Sequence, residues 1–360
     1  MKKSVITLAL VLVIALLTGC AGTPVVYYSD CTCPTGAHTE TTPVETTPVE
    51  TAPAVEGAVK TGIAIVASAG ESKSAGDADG EAKYEVSVVA VTVDDTGFIT
   101  DCIIDSIGTS VLFDVNGAIV SDLTAEVPTK NELGDAYNMK LYGGAVAEWY
   151  EQAAALASFA CGKTVEELKT GAVDETGHAV DADLATTATI YLGGYVAAIE
   201  KAVANAQHLG AQAGDELKLA IIPGVGSSAS ADAENAGNAQ LDVDVAAVTM
   251  NGETITSCAI DSLQAKVAFD ATGTITADLS SYFQTKNELG EGYGMVAWGG
   301  AIAEWNQQAA SFASYITGKT AAEVAGIAVN EGTKPTEADL ATSVTIAIGG
   351  FQALIAKACN

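Results

Sequence analysis

Hydrophobic and polar residues alternate along two pairs of neighbouring segments, and each pair predicts an antiparallel β-hairpin. Apolar residues at every second position of 241–247 alternate with acidic ones, as in a half-buried strand. Asn251-Gly252 then indicates a tight turn, and the returning strand covers 254–260. Earlier in the chain, Asp94-Asp95-Thr96-Gly97 takes the place of that turn.

A helical period follows each hairpin. Apolar residues recur at steps of three and four, which predicts an amphipathic helix with one buried face. The stripe consists of Val146, Trp149, Ala153, Leu156 and Ala160, and it is repeated as Ile302, Trp305, Ala309, Phe312 and Ile316. We therefore expect both Trp residues to pack in the core.

The borders of these helices are also predicted by residue type. Gly162 and Gly318 are expected to end them, because glycine is the common C-terminal cap. A Thr followed three residues later by Glu predicts that a short helix begins with a capping box. These pairs are Thr164 with Glu167 and Thr320 with Glu323. Glu148 and Glu304, beside the Trp residues, are expected to face solvent.

The two halves of this pattern are copies of one unit. Aligning Lys130–Gly134 with Lys286–Gly290 places 101–202 on 257–358 without a gap, and about half of the positions are identical. The period is too long for a solenoid repeat. We therefore predict two α+β domains, 58–206 and 207–360, each with a twisted, mostly antiparallel sheet packed by helices.

The N-terminal residues predict where the protein is located in the cell. Met1-Lys2-Lys3 is positive, residues 5–16 are apolar, and Leu17-Thr18-Gly19-Cys20 resembles the lipobox of bacterial lipoproteins. The resemblance implies that a signal peptide, residues 1–19, is removed. It further implies that Cys20 receives a diacylglycerol, which anchors the chain on the extracytoplasmic face of the membrane.

The segment after the lipobox predicts a tether. Residues 20–57 are rich in Thr, Pro and Glu, with T-T-P-V-E repeated, and such a composition does not bury a core. We expect this segment to hold the folded part away from the membrane.

Charge and motif spacing exclude several classes of function. The net charge is −29 and the chain contains no Arg, so we exclude a nucleic-acid binder. The Gly-Lys-Thr triplets at 162–164 and 318–320 lack the preceding Gly of a phosphate-binding loop, since Ala157 and Ala313 stand there. The Cys and His spacing fits no zinc site. Cys102 and Cys258 lie in apolar strand patterns and predict buried thiols.

One segment near the end of each repeat carries a family resemblance. Asp183-Leu184-Ala185-Thr186-Thr187-Ala188-Thr189 recurs as Asp339-Leu340-Ala341-Thr342-Ser343-Val344-Thr345. Both resemble the closing motif of FMN-binding domains, whose last Thr can carry FMN through a phosphoester bond made by a flavin transferase. The resemblance implies that Thr189 and Thr345 hold FMN, with the motif positions Asp183, Asp339, Thr186 and Thr342 beside it.

Two further segments resemble that family in the same order. The hairpin of 86–105 resembles its opening strands, and 129–135 and 285–291 resemble its Glu-Thr-Pro-Gly-Leu-Gly loop. By resemblance, the flavin pocket is lined by Glu132, Leu133, Gly134, Glu288, Leu289 and Gly290. The chain departs from the motif where Thr187 and Ser343 replace its Gly, where Val344 replaces its Ala, and where Asn-Glu replaces Pro-Gly.

Three functions follow as expectations. The first is a surface lipoprotein that transfers electrons as a non-enzymatic FMN carrier, with redox proteins as partners. The second is a binding or structural module that kept the fold and lost the flavin, in which Asp183 and Asp339 cap a helix. The third is capture of a small solute in a cleft between the two copies, near 205–215.

Overall fold

The computed structural model describes residues 57–359. The predictions for Cys20, for the signal peptide and for the tether up to residue 56 lie outside the described residues. None of the helices between residues 57 and 359 combines the length and the apolarity needed to cross a membrane.

Each repeat contains one antiparallel sheet of three long strands. In the first repeat the order is β1 (Lys60–Ser68), β2 (Gly80–Val93) and β3 (Ile99–Phe113). In the second it is β4 (Glu216–Gly224), β5 (Gly237–Asn251) and β6 (Thr254–Phe269). The predicted hairpins are confirmed as β2–β3 and β5–β6, and Gly252 adopts φ +59° in the tight turn.

Helices fill the chain after each hairpin. The first repeat has α1 (Lys130–Leu133), α2 (Met139–Gly143), α3 (Trp149–Ala160), α4 (Val165–Ala172), α5 (Ala182–Thr187) and α6 (Gly193–Ala204). The second has α7 (Lys286–Leu289), α8 (Met295–Gly299), α9 (Trp305–Ile316), α10 (Ala321–Ala325), α11 (Ala338–Ala341) and α12 (Gly349–Cys359). The α+β class is confirmed, with two similar units of sheet and helices.

The two sheets face each other across a shared apolar core. Their inner faces contribute buried residues to a single cluster drawn from all six strands. The rings of Phe113 and Phe269 stack with their centroids 4.0 Å apart. The Tyr84 hydroxyl donates to the Ala239 carbonyl oxygen at 2.8 Å. The repeats therefore form one compact body, and the boundary between them at residue 206 stays a prediction.

The outer face of each sheet is covered by helices of the same repeat. Helices α3 and α6 pack on the first sheet, and α9 and α12 pack on the second. Trp149 and Trp305 are buried in these layers, as expected. Cys102 and Cys258 are buried free thiols, which confirms that prediction as well. Burial raises the pKa of both thiols far above the ordinary value.

The start of α3 differs from the prediction. Val146 is exposed and precedes the helix, because Glu148 forms the N-cap and the first turn begins at Trp149. Glu148 is also buried, contrary to expectation. Its carboxylate accepts the backbone N–H groups of Met139 and Lys140 at 2.7 and 3.1 Å. In the second repeat Ile302 is exposed and Glu304 is buried in the same way.

The predicted helix borders are otherwise observed. Gly162 and Gly318 follow the ends of α3 and α9 with φ +77° and +86°, a left-handed conformation that favours glycine. Thr164 and Thr320 form the expected capping boxes with Glu167 and Glu323.

Candidate functional site

The closing motif of each repeat forms a short helix on the surface. Asp181 is the N-cap of α5, and its carboxylate accepts the N–H groups of Asp183 and Leu184, both at 3.0 Å. Asp183 therefore lies in the first turn and does not cap the helix, contrary to one of the expectations. Asp339 likewise follows the N-cap residue Glu337.

The motif hydroxyls that precede the last Thr donate hydrogen bonds to backbone carbonyl oxygens of their own helices. Thr186 donates to the Asp183 carbonyl at 2.7 Å, and Thr342 donates to the Asp339 carbonyl at 3.1 Å. The residues that replace the motif Gly behave in the same way. The Thr187 hydroxyl donates to Leu184 at 3.1 Å, and the Ser343 hydroxyl donates to Leu340 at 3.3 Å. These side chains are therefore satisfied within the helix.

A buried glutamine fixes the last Thr of the motif in each repeat. The side-chain oxygen of Gln152 accepts the backbone N–H of exposed Thr189 at 2.7 Å and its hydroxyl at 3.3 Å. The Gln152 amide nitrogen donates to the Ala147 carbonyl at 2.8 Å. Gln308 makes the same contacts to half-buried Thr345, at 2.8 and 3.2 Å.

The sequence analysis missed both glutamines. Each is a polar residue that interrupts the apolar stripe of a helix at the same place in both repeats. A Gln at the same position of a buried helix face in both repeats was the signal that could have identified them.

The loop that resembles the flavin-pocket loop begins a short helix in each repeat. Thr129 and Glu132 form a capping box at α1, and Gly134 follows with φ +49°. In the second repeat Thr285 and Glu288 form the same box at α7, and Leu289 and Gly290 follow as Leu133 and Gly134 do. The capping boxes explain why Thr and Glu stand three residues apart.

The glutamates of these loops connect the two repeats. Glu288 pairs with Lys201 of α6, with 2.8 Å between the ammonium nitrogen and the carboxylate. Glu132 pairs with Lys357 of α12 in the equivalent way. Burial raises the pKa of Glu288, but hydrogen bonds from Lys201 and Thr285 outweigh that effect and hold the pKa below its ordinary value.

The predicted flavin residues therefore form two groups within each repeat. The closing-motif residues lie at the outer surface beside α3 or α9, whereas Glu132 and Glu288 lie where the repeats meet. Within residues 57–359, no hydrogen bond or ion pair joins one group to the other. The core residue Trp149 donates from its indole nitrogen to Tyr195 at 3.2 Å.

Two exposed apolar loops accompany the motif threonines. Helices α2 and α8 begin at Met139 and Met295, whose backbone N–H groups donate to the carboxylates of Glu148 and Glu304. Their tips expose Tyr142 to 84% and Trp298 to 91%. The glutamines that hold the threonines also donate from their amide nitrogens to the carbonyl oxygens of Ala147 and Ala303, so loop and threonine are held by the same side chain.

A wide cleft lies between the repeats, where β1 of one sheet runs beside β6 of the other. It encloses about 700 Å³ and is lined by β1, β6, α9 and linker residues 204–209. The side chains of Thr61 and Ser257 are hydrogen-bonded across this seam at 2.7 Å. The third expectation, capture of a small solute, required a cleft near 205–215, and residues 205 and 207–209 of that range line this wide cleft.

Asp261 at the end of the wide cleft is almost fully buried, with 4% of its surface exposed. Its carboxylate accepts the N–H groups of Ser262 and Asn287 at 2.8 and 3.1 Å. Burial is the dominant effect and raises the pKa of Asp261 to about 6 despite these bonds. The signal missed in the sequence was an acidic residue inside an apolar strand of both repeats, at 105 and 261.

The matching seam between β3 and β4 holds a smaller cleft of about 260 Å³. Asp105, Glu132 and Lys357 line this smaller cleft. Lys201, the residue of the first repeat that corresponds to Lys357, does not line the wide cleft. The two clefts are therefore related by the repeat but differ in size and charge.

Comparisons with protein-family models, with curated proteins and with solved structures find no match to this chain. The resemblance to FMN-binding domains consequently rests on the motif residues themselves.

Proposed function

We propose that the chain is an extracytoplasmic lipoprotein that carries FMN on Thr189 and Thr345 and transfers electrons outside the membrane. The observation that carries this proposal is the duplicated support of the two threonines. In each repeat, a buried glutamine holds the residue at which the family motif bears its flavin. Such a contact fixes the backbone while the exposed side of the Thr stays accessible to a modifying enzyme.

The residues around the threonines fit a flavin in two respects. The hydroxyls of Thr187 and Ser343 hydrogen-bond back to their own helices, so they do not compete for the phosphate of a flavin on the motif Thr. The exposed rings of Tyr142 and Trp298 offer apolar surface on which an isoalloxazine ring can stack. Bound flavin supplies the electron-transfer chemistry, and the chain supplies attachment and position.

A second candidate function has its own supporting observation. Glu132 and Glu288, which the family resemblance assigns to the flavin pocket, are engaged in ion pairs between the repeats. This use favours a surface binding module that kept the fold and lost the flavin. Both candidates share the lipid anchor at Cys20.

The two candidate functions predict different masses for the purified protein. The chain without its signal peptide is coexpressed with a bacterial flavin transferase in the presence of FAD, from which FMN is transferred to Thr with release of AMP, and its intact mass is measured. We expect a gain of two FMN units, each less one water. Thr189→Val keeps the shape of the side chain and removes the hydroxyl, so it should leave one unit. The double variant with Thr345→Val should leave none.

Thr170→Val is the matched control, since Thr170 is an exposed threonine of α4 outside the motif. It should retain both flavins. An unmodified wild-type mass, with no flavin released on denaturation, would exclude the first candidate and favour the second.

A further inference from the structure

The wide cleft has the dimensions of a small-molecule site. Its volume of about 700 Å³ compares with about 260 Å³ at the matching seam. Binding sites for small molecules commonly enclose about 300 to 1,000 Å³ and lie where two structural units meet. A ligand in this cleft contacts both repeats and the linker at once.

The repeats differ at residues that line the wide cleft. Asn306 of α9 lines it, whereas the equivalent residue of α3 is the larger Tyr150. The linker residues Asn205 and His208 form a wall that the smaller cleft lacks. These residues distinguish the lining of the wide cleft from that of the narrow one.

The wide cleft presents hydrogen-bond acceptors that need donors. The side-chain oxygen of Asn306 is fully buried and has no partner among the described residues. A buried acceptor without a donor is costly, so rotation of the Asn306 amide toward a donor group on a ligand in the cleft is favourable. Asp261 adds a carboxylate whose contacts are all with neutral N–H and hydroxyl groups.

The carboxylates that line the cleft are Asp261 and Glu288, and the nearby Lys286 ammonium attracts Asp261 without contacting it. No Lys is among its lining residues, which all belong to the described part of the chain. Glu288 is already paired with Lys201, and His208 is paired with Asp95 at 2.9 Å. The ammonium of Lys286 lies 4.8 Å from the centroid of the Trp305 ring and forms no ion pair with Asp261. Asp261 therefore remains without a cation in contact.

We propose that the wide cleft binds a small aliphatic amine, whose ammonium group contacts the Asp261 carboxylate and donates to the side-chain oxygen of Asn306. Opposite charge at a desolvated site strengthens such a hydrogen bond. The net charge of −29 raises the local concentration of cations around the chain. The methyl groups of Ala259, Ala310 and Ala313 line the same cleft and can contact a hydrocarbon chain.

The test is isothermal titration calorimetry of the purified protein with 1,4-diaminobutane at pH 7.5. A salt concentration of about 0.15 M screens attraction to the exposed acidic surface. We expect saturable binding of one diamine per chain. The uncharged isostere 1,4-butanediol should bind about tenfold more weakly or worse, because it lacks the charge-assisted hydrogen bond.

Matched variants locate the bound amine. Asp261→Asn should weaken binding about tenfold or more, whereas Asp105→Asn removes the same charge at the narrow seam and should leave affinity unchanged. Asn306→Tyr introduces the residue of the first repeat and should block the cleft. Circular dichroism verifies the fold of each variant. If Asn306→Tyr does not fold, the result for Asp261→Asn alone tests the proposal.

Three results would overturn the proposal. They are the absence of heat from diamine binding, equal affinity for the diol, and equal weakening by Asp261→Asn and Asp105→Asn. The last would show general attraction to an acidic protein. None of these outcomes bears on flavin attachment, which takes place at other residues.

Discussion

The ionised carboxylate of Asp261 lowers the stability of the fold at neutral pH. In the folded chain burial raises its pKa from 3.8 to about 6. The folded state therefore retains the proton over a pH range in which the unfolded chain has released it. The stabilisation from this proton is fully present below about pH 4 and is lost as pH rises through 6. The difference of about two pH units corresponds to about 3 kcal/mol at most.

Asp261→Asn isolates this effect. The amide is neutral at every pH, and its oxygen can still accept the N–H groups of Ser262 and Asn287. We expect the variant to be more stable than the wild type by about 1 to 3 kcal/mol at pH 7.5, and the gain to shrink as the pH falls and to vanish below about pH 4. Urea denaturation followed by circular dichroism measures both free energies of unfolding.

Comparison of variant and wild type at each pH removes the contributions of other titrating groups. The groups that face this site are Glu288 and Lys286 of α7 and His208 of the linker, and they are the same in both proteins. Asp105→Asn is the matched variant. Burial also raises the pKa of Asp105, so the sign of its effect should be the same.

A variant that is less stable than the wild type at pH 7.5 would refute this reasoning. It would mean that the hydrogen bonds to the charged carboxylate outweigh the loss of hydration. A stability difference independent of pH would refute it equally, since the effect could not then arise from the proton.

Three further predictions concern the framework. Gln308→Leu removes the acceptor that holds Thr345 and should lower the free energy of unfolding by about 1 to 3 kcal/mol, measured by urea titration. Phe113→Ala should cost about 3 to 5 kcal/mol. Calorimetry should still show one transition, because both repeats share that core, and two separate transitions would contradict the shared core. Lys201→Met should destabilise more than Lys357→Met, because the side chains of the Lys201 pair are 20% and 26% exposed against 36% and 40%. Equal losses on urea titration would count against that order.

Local periodicity was sufficient to predict much of the secondary structure. The hairpin turn at Asn251-Gly252 and the capping box at Thr164 depend on residues close in sequence, and both are observed. Glu148 was assigned wrongly to solvent for the opposite reason. Its partners, Met139 and Lys140, precede it across a loop whose path no periodicity reveals.

The arrangement of the two repeats was beyond the reach of pattern analysis. Residues 88–93 of β2 are buried on both faces, so their sequence shows a continuous apolar run and does not identify what covers each face. The wide cleft was only a conditional expectation at 205–215. Its acidic residue, Asp261, comes from a strand about fifty residues away in the chain. A contact of that kind depends on how the sheets face each other.

The shared core also has a consequence for the history of the chain. A single repeat would expose the inner face of its sheet, so it would need a second copy to cover Phe113 and its neighbours. The architecture is that of a homodimer whose subunits have been joined into one polypeptide. In a homodimer any substitution appears at both seams. In one polypeptide that constraint is absent, so the two seams can differ in size and charge, as the wide and narrow clefts do.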